Sequence, residues 1–256
     1  DGYLKPGDHI IIRLGDKRGG GPGTRVQTFV EKDFRFRCYV DPLGTSRFAP
    51  IPGDAVIDIV PGQPAKLRMI APRMVRDEAV TVRIVTEDEW GNACWNLGGE
   101  VKVSGWQEGK EVFNKTAAVS AQGWAVAVVS DIKATAGELE IRASMPQHPV
   151  VPQAQCFIHY DPSFAFPRIY YADLHVHSDD TVGTNDTTYN LTYGRDVAGL
   201  DVLGYTANDF QITKARWDKA VELIGTINKP GEFVCYPGTE WCGSSCAGGD
   251  HNVIFL

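Results

Sequence analysis

Two histidines one residue apart, His175 and His177, are the part of this sequence most suited to chemistry. In an extended strand, side chains two residues apart point to the same face, so the two imidazoles project together. A pair of neutral imidazoles on one face can hold a divalent cation, and the Ser178-Asp179-Asp180 stretch that follows offers carboxylates that could bridge to a second ion. An isolated His-x-His also fits an edge strand facing water, so the weight falls on what accompanies it. Three further polar groups adjoin later apolar runs: Thr206-Ala207-Asn208-Asp209, Gly238-Thr239-Glu240 and Gly249-Asp250-His251-Asn252. Each alone has an ordinary explanation, Asp209 as a cap for a following helix and Glu240 as a strand-end acid. Four such groups at four successive strand ends point to a site that binds metal.

The elements that would position these groups follow from the pattern after residue 168. Residues 170–176, 202–206, 233–240 and 252–256 read as strands, and 188–198 and 215–227 as helices. Alternation of strand and helix marks an α/β sheet or barrel, in which polar residues at the C-terminal strand ends converge at one mouth. Such a barrel needs about 200 residues or more, so residues 168–256 are expected to hold only its beginning, with further ligands expected after Leu256.

The sequence ahead of this region has a different grammar. Short runs rich in β-branched and aromatic residues, many of them alternating, occupy 9–14, 24–30, 34–40, 55–60, 66–70, 80–86, 100–104, 117–120, 124–130 and 139–143. Gly- and Pro-bearing turns separate them. The expectation is an antiparallel β-sandwich over 1–60 and a second sandwich over 61–160. From Pro61 through Glu87-Asp88-Glu89-Trp90-Gly91-Asn92 the pattern resembles immunoglobulin-like modules of multidomain enzymes. The acidic triplet there reads as a solvated turn rather than a calcium loop.

Composition narrows the class. The formal charge of −7 and the lack of clustered Lys and Arg argue against a nucleic-acid surface. No apolar run approaches the roughly 20 residues that cross a bilayer. Six scattered cysteines are too few for a disulfide framework, and Cys242 and Cys246 are read either as free thiols or as one local disulfide. The compartment is left open.

Asp173-Leu174-His175-Val176-His177-Ser178 resembles the opening motif of PHP (polymerase and histidinol phosphatase) domains. Tyr193 to Asp201 is similar to that family's first helix and the turn into its second strand. Gly238-Thr239-Glu240-Trp241 and Asp250-His251-Asn252 resemble its later glutamate and histidine positions. The likeness is strongest to a branch with β-sandwich domains ahead of the barrel. It implies a multidomain β plus α/β chain in which the sandwich region is followed by the start of a distorted βα barrel. It also implies two or three divalent ions (Mn, Zn or Fe) and hydrolysis of a small phosphorylated or ester substrate.

Carried over, His175, His177, Glu240 and His251 become metal ligands, with Glu240 also bridging ions as a catalytic group. Where the family reads Thr-Asp-His, this chain reads Thr206-Ala207-Asn208, so Asn208 takes a ligand position and the neighbouring Asp209 is a candidate substitute and catalytic residue. An amide oxygen suits harder ions than an imidazole does. Among Asp179, Asp180 and Asp186, Asp180 is preferred as the acidic ligand after the histidine pair. Arg195 is a candidate phosphate contact and Trp241 a candidate pocket wall. Two alternatives accompany this reading. One is a metal hydrolase of the amidohydrolase type, which the lack of lysine at a strand end disfavours. The other is a degenerate site in a binding or scaffolding protein, which Asn208 favours.

Overall fold

The computed structural model describes residues 5–76, 79–165, 167–243 and 248–256. The chain divides into two compact units, Asp1–Ile59 and Val60–Leu256.

In the first unit, β1 (Glu31–Phe36), β2 (Tyr39–Val40), β3 (Ala49–Pro50) and β4 (Ala55–Ile59) form two antiparallel ladders, β1 with β4 and β2 with β3. The runs at 9–14 and 24–30, expected as strands, join no sheet, and Ile10, Ile11, Ile12 and Leu14 are exposed. In place of the expected sandwich there are two two-stranded ribbons. Among the described residues here, Val30 and Ile59 alone are buried apolar side chains. Composition favoured strands at 9–14, but a strand forms only where a partner ladder and a covering layer accept it.

The second unit opens with the sandwich. Its strands are β5 (Lys66–Ile70), β6 (Met74–Val75), β7 (Val80–Glu87), β8 (Glu100–Gln107), β9 (Lys110–Ala118), β10 (Trp124–Val129), β11 (Gly137–Ser144) and β12 (Ala154–Tyr160). They make a three-stranded sheet ordered β10-β7-β5 and a five-stranded sheet ordered β6-β12-β11-β8-β9. Alternation in β7 buries Val80, Val82 and Ile84, and alternation in β11 buries Leu139, Ile141 and Ala143, all in one core. Burying each large aliphatic side chain contributes about 1.5–3 kcal/mol. β12 lies in a passage whose flanking prolines concealed it in the sequence.

Of the acidic triplet only Glu89 is solvated. Glu87 is buried and ion-paired with Arg68 and Lys66. Asp88 is 1% exposed, and its carboxylate accepts from the backbone N–H groups of Gly62, Trp90 and Asn92 and from the Asn92 amide. These bonds hold the Asp88 carboxyl below the usual carboxylate range even though burial pushes the other way. Four donors on one carboxylate close the turn after β7.

The α/β part contains β13 (Ala172–Val176), α1 (Thr187–Thr192) running into a π-helical turn (Tyr193–Val197), β14 (Val202–Asn208), α2 (Lys214–Ile227), β15 (Val234–Cys242) and β16 (Asp250–Ile254). Asp186 caps α1 by accepting from Tyr189 N at 2.8 Å, and Thr213 caps α2. Helix α2 buries Ala220, Ile224 and Ile227, an i, i+4, i+7 stripe, against Leu203, Tyr205, Ala207 and Cys235. The sheet order is β13-β14-β15-β16, with the first three strands parallel. β16 runs antiparallel to β15, which departs from the expected strand–helix alternation. The link over residues 243–249 is too short for a parallel crossover of a dozen or more residues.

Glycine marks the open face of this sheet. A Cβ on Gly238 would stand 2.7 Å from Val253 O and 2.9 Å from Ile254 Cδ1. The missing side chain therefore lets the hairpin lie flat beside Glu240. Sandwich and α/β sheet are tied by Arg68, whose guanidinium binds Glu87 and donates to Val197 O at 3.0 Å.

Candidate metal centre

The parallel strands β13, β14 and β15 end at one edge of the sheet, and antiparallel β16 begins there. Tyr205 and Ala207 pack on α2, so Asn208, the next residue in the alternation, faces the opposite, open side. Asn208 pairs in register with Glu240, Glu240 with Asn252, and Cys242 with Asp250, which places these side chains on the same side. His175 and His177 reach the same side from the end of β13.

The geometry there is tight. The two Nε2 atoms are 2.9 Å apart, His175 Nε2 is 3.4 Å from Glu240 Oε1, and His177 Nε2 is 3.2 Å from Glu240 Oε2. Donors each about 2.1 Å from one divalent ion stand roughly 3.0–3.4 Å from each other, so His175, His177 and Glu240 match the spacing of a ligand set. Asn208, 5% exposed, donates through Nδ2 to Glu240 Oε2 at 2.6 Å, while its Oδ1 is buried without a partner. Asp173 accepts from His175 N at 3.1 Å, and the Thr206 hydroxyl accepts from Val176 N at 3.1 Å where the β13–β14 register shifts. These bonds replace ladder contacts and steady the strand that carries the histidines.

Electrostatics favour the ligand form of His177. Burial first, and then the His175 imidazole, lower its pKa, while Glu240 pulls the other way. A neutral imidazole keeps a lone pair for a cation. Its Nδ1 is buried without a partner, so no acceptor holds the proton at that nitrogen, unlike the usual metal-bound histidine.

The other expected site residues take other places. Asp180 lies on the helix side: Thr187 Oγ1 and Tyr205 Oη donate to its carboxylate at 2.5 and 3.0 Å, and Arg216 donates to its carbonyl at 2.7 Å. Burial, with Asp180 nearby, pushes the Tyr205 phenol up to about 12, so it stays a donor. Burial and the neighbouring Asp180 and Asp186 also raise the pKa of Asp179. Asp180 is therefore committed to a network joining the β13 loop to α1 and α2 rather than to the histidine cluster. Exposed Asp209 braces the edge, its backbone N–H donating to Glu240 O at 3.1 Å and its carboxylate accepting from Cys242 N at 3.2 Å.

His251 is opposite Trp241 in the hairpin, on the face away from Glu240, and the two rings stack at 5.5 Å. Neither reaches the cluster. Arg195 pairs with Asp196 and lines a cleft with Arg83, Arg168, Tyr171, Asp201 and Phe233. Tyr171, Asp201 and Phe233 immediately precede β13, β14 and β15, so Arg195 sits at the opposite end of the strands from His175 and His177.

Two residues that sequence reasoning left out of the site join it. Cys242 and Asp250 form a second group with Glu240, their ligand atoms all within 4.8 Å of one another. Cys242 was legible, because it follows Glu240 by two residues and so shares its face. Asp250 required knowing that β16 turns back on β15. Cys242 carries a free thiol, and Cys246 lies outside the described residues.

No protein-family model matches the chain, and no curated protein matches it. Among solved structures, a glycosyl hydrolase family 2 member from Bacteroides cellulosilyticus is 15% identical, with 44% of this chain and 16% of that chain covered and a TM-score of 0.32. The β-glucuronidase of Parabacteroides merdae is 12% identical, with 73% of this chain and 25% of that chain covered and a TM-score of 0.26. A CARDB domain from Pyrococcus furiosus, solved in complex with di-metal ions, is 14% identical, with 40% of this chain and 92% of that chain covered and a TM-score of 0.27. The chain thus spans less than a fifth of the family 2 hydrolase it matches.

Proposed function

We propose that the chain is part of a metal-dependent hydrolase whose substrate is a phosphate ester, as the PHP-like motif implies. The observation that carries this reading is the convergence of His175 Nε2, His177 Nε2 and the Glu240 carboxylate at donor spacing from separate strands. The Asn208 amide next to them donates to Glu240 Oε2 and leaves its own Oδ1 buried without a partner, which costs about 1–3 kcal/mol. When bound, a divalent ion there lowers the pKa of a coordinated water and offsets charge on a phosphoryl oxygen.

The chain's own residues supply placement. His175, about half exposed, leaves one side of the cluster open to a substrate, while His177 and Glu240 close the other. Glu240, anchored by the Asn208 amide, is oriented toward both imidazoles. Asp209 acts as a positioning residue by holding the backbone of Glu240 and Cys242.

Metal analysis of the full-length protein and an aryl-phosphate assay with Mn, Zn, Fe and Mg test the reading. It expects at least one bound ion per chain and loss of hydrolysis in His175→Ala. Less than one ion per chain, together with unchanged hydrolysis in that variant, would sink it. One observation favours the second reading, a degenerate site in a binding protein: Asn208 spends its NH2 on Glu240, where an imidazole would have offered a lone pair. Under that reading an ion binds and no hydrolysis follows with any of the four metals.

A further inference from the structure

The open face carries more ligand chemistry than one cation explains. Beyond the histidine pair, the Glu240 carboxylate, the Cys242 thiol and the Asp250 carboxylate offer ligand atoms within 4.8 Å of one another. Their convergence is built into the hairpin, since Cys242 follows Glu240 by two residues and is directly opposite Asp250. Among the described residues, no lysine or arginine pairs with Glu240 or Asp250; the ion-pair partners of Glu240 are the two histidines.

An independent observation points to the missing positive charge. Asn208 is 5% exposed, and its carboxamide faces this group, with Nδ2 2.6 Å from Glu240 Oε2 and 3.4 Å from Cys242 Sγ. Its Oδ1 has no partner. Rotating the amide by half a turn exchanges the two atoms and puts the oxygen where the nitrogen stands, between carboxylate and sulfur. That orientation is unfavourable against an anionic carboxylate unless a cation lies between them. In the metal-free arrangement the NH2 group substitutes for that cation.

We propose that Glu240, Cys242 and Asp250 form a second cation position, a thiolate–carboxylate site for zinc or a similarly borderline ion, with the Asn208 amide oxygen as its fourth donor. The sulfur ligand selects against magnesium and calcium, and the oxygens keep the site from being purely soft. Binding releases the thiol proton to solvent and replaces the Asn208 Nδ2 contacts to Glu240 Oε2 and Cys242 Sγ. The inference rests on the histidine-site reading only through Glu240, which the two positions share and would bridge.

Cobalt(II) titration of the full chain, followed by absorbance, tests it. The expected result is a sulfur-to-cobalt charge-transfer band in the near ultraviolet that Cys242→Ser abolishes and His175→Ala retains. No such band in the wild-type chain, or a band unchanged in Cys242→Ser, overturns the proposal. Failure of the histidine site reads differently: His175→Ala would then change neither the cobalt stoichiometry nor hydrolysis, with the sulfur band still present. Alkylation guards against a variant that misfolds. With zinc added to the wild-type chain, iodoacetamide labelling of Cys242 should slow by roughly tenfold or more, while exposed Cys38 labels at an unchanged rate. Equal labelling of Cys242 with and without zinc overturns the proposal as well.

Discussion

The sandwich and the α/β sheet use one rule, alternation of side chains along a strand, for opposite ends. In β7 and β11 the inward positions are Val80, Val82, Ile84, Leu139, Ile141 and Ala143, each at most 1% exposed, and the result is a dry core. In β14, β15 and β16 the corresponding open-face positions are Asn208, Glu240, Cys242 and Asp250, and the result is a cluster of donors with an orphaned amide oxygen. One face is packed and dry as folded. The other is left unsatisfied, and a bound cation would relieve it. The difference separates where the chain stores stability from where the proposed cation would bind.

That contrast predicts that core changes cost stability and leave binding alone, and that edge changes do the reverse. The largest effect is expected for Glu240→Gln. Cation affinity should fall by roughly 100-fold or more, measured by calorimetric titration, with the thermal midpoint of the metal-free chain held or raised. A lowered midpoint with unchanged affinity would break the comparison. Next comes Leu139→Ala in the core. It should cost about 2–5 kcal/mol in denaturant unfolding and leave cobalt binding unchanged.

Arg68→Met tests the tie between the two regions. It leaves buried Glu87 with Lys66 alone and removes the bond to Val197 O, at a cost of about 2–4 kcal/mol. Faster amide exchange around the π-helical turn should accompany it. Asp186→Ala, which removes the α1 cap, should cost about 1 kcal/mol. The smallest effect belongs to His251→Ala. Because that ring stacks on Trp241 away from the cluster, cation affinity should change by less than about twofold. A large loss there would return His251 to the ligand set and overturn the hairpin geometry.

Much of the fold was legible in local pattern. The runs at 66–70, 80–86, 124–130 and 139–143 became strands because alternating β-branched residues found partners on both sheets. The α2 stripe of Ala220, Ile224 and Ile227 was readable for the same reason at helical period. The runs at 9–14 and 24–30 were not, since propensity alone does not provide a covering layer. Glu87 and Asp88 read as solvated because charge suggests water, yet each is buried against partners: Arg68 and Lys66 for Glu87, backbone donors and Asn92 for Asp88.

By itself the sequence determined that His175 and His177 share a face, that Glu240 lies near the end of a later strand, and that sandwich strands precede an α/β region. Those properties depend on residue type and a period of two or 3.6, which neighbouring residues set. Tertiary structure decided which face each strand turned inward and which strands met. The antiparallel return of β16 brought Asp250 to Glu240 and carried His251 away, and the packing of Tyr205 on α2 drew Asp180 to the helix side. A one-residue change of register or a reversal of strand direction exchanges the faces without altering the local pattern, so only long-range pairing could choose between them.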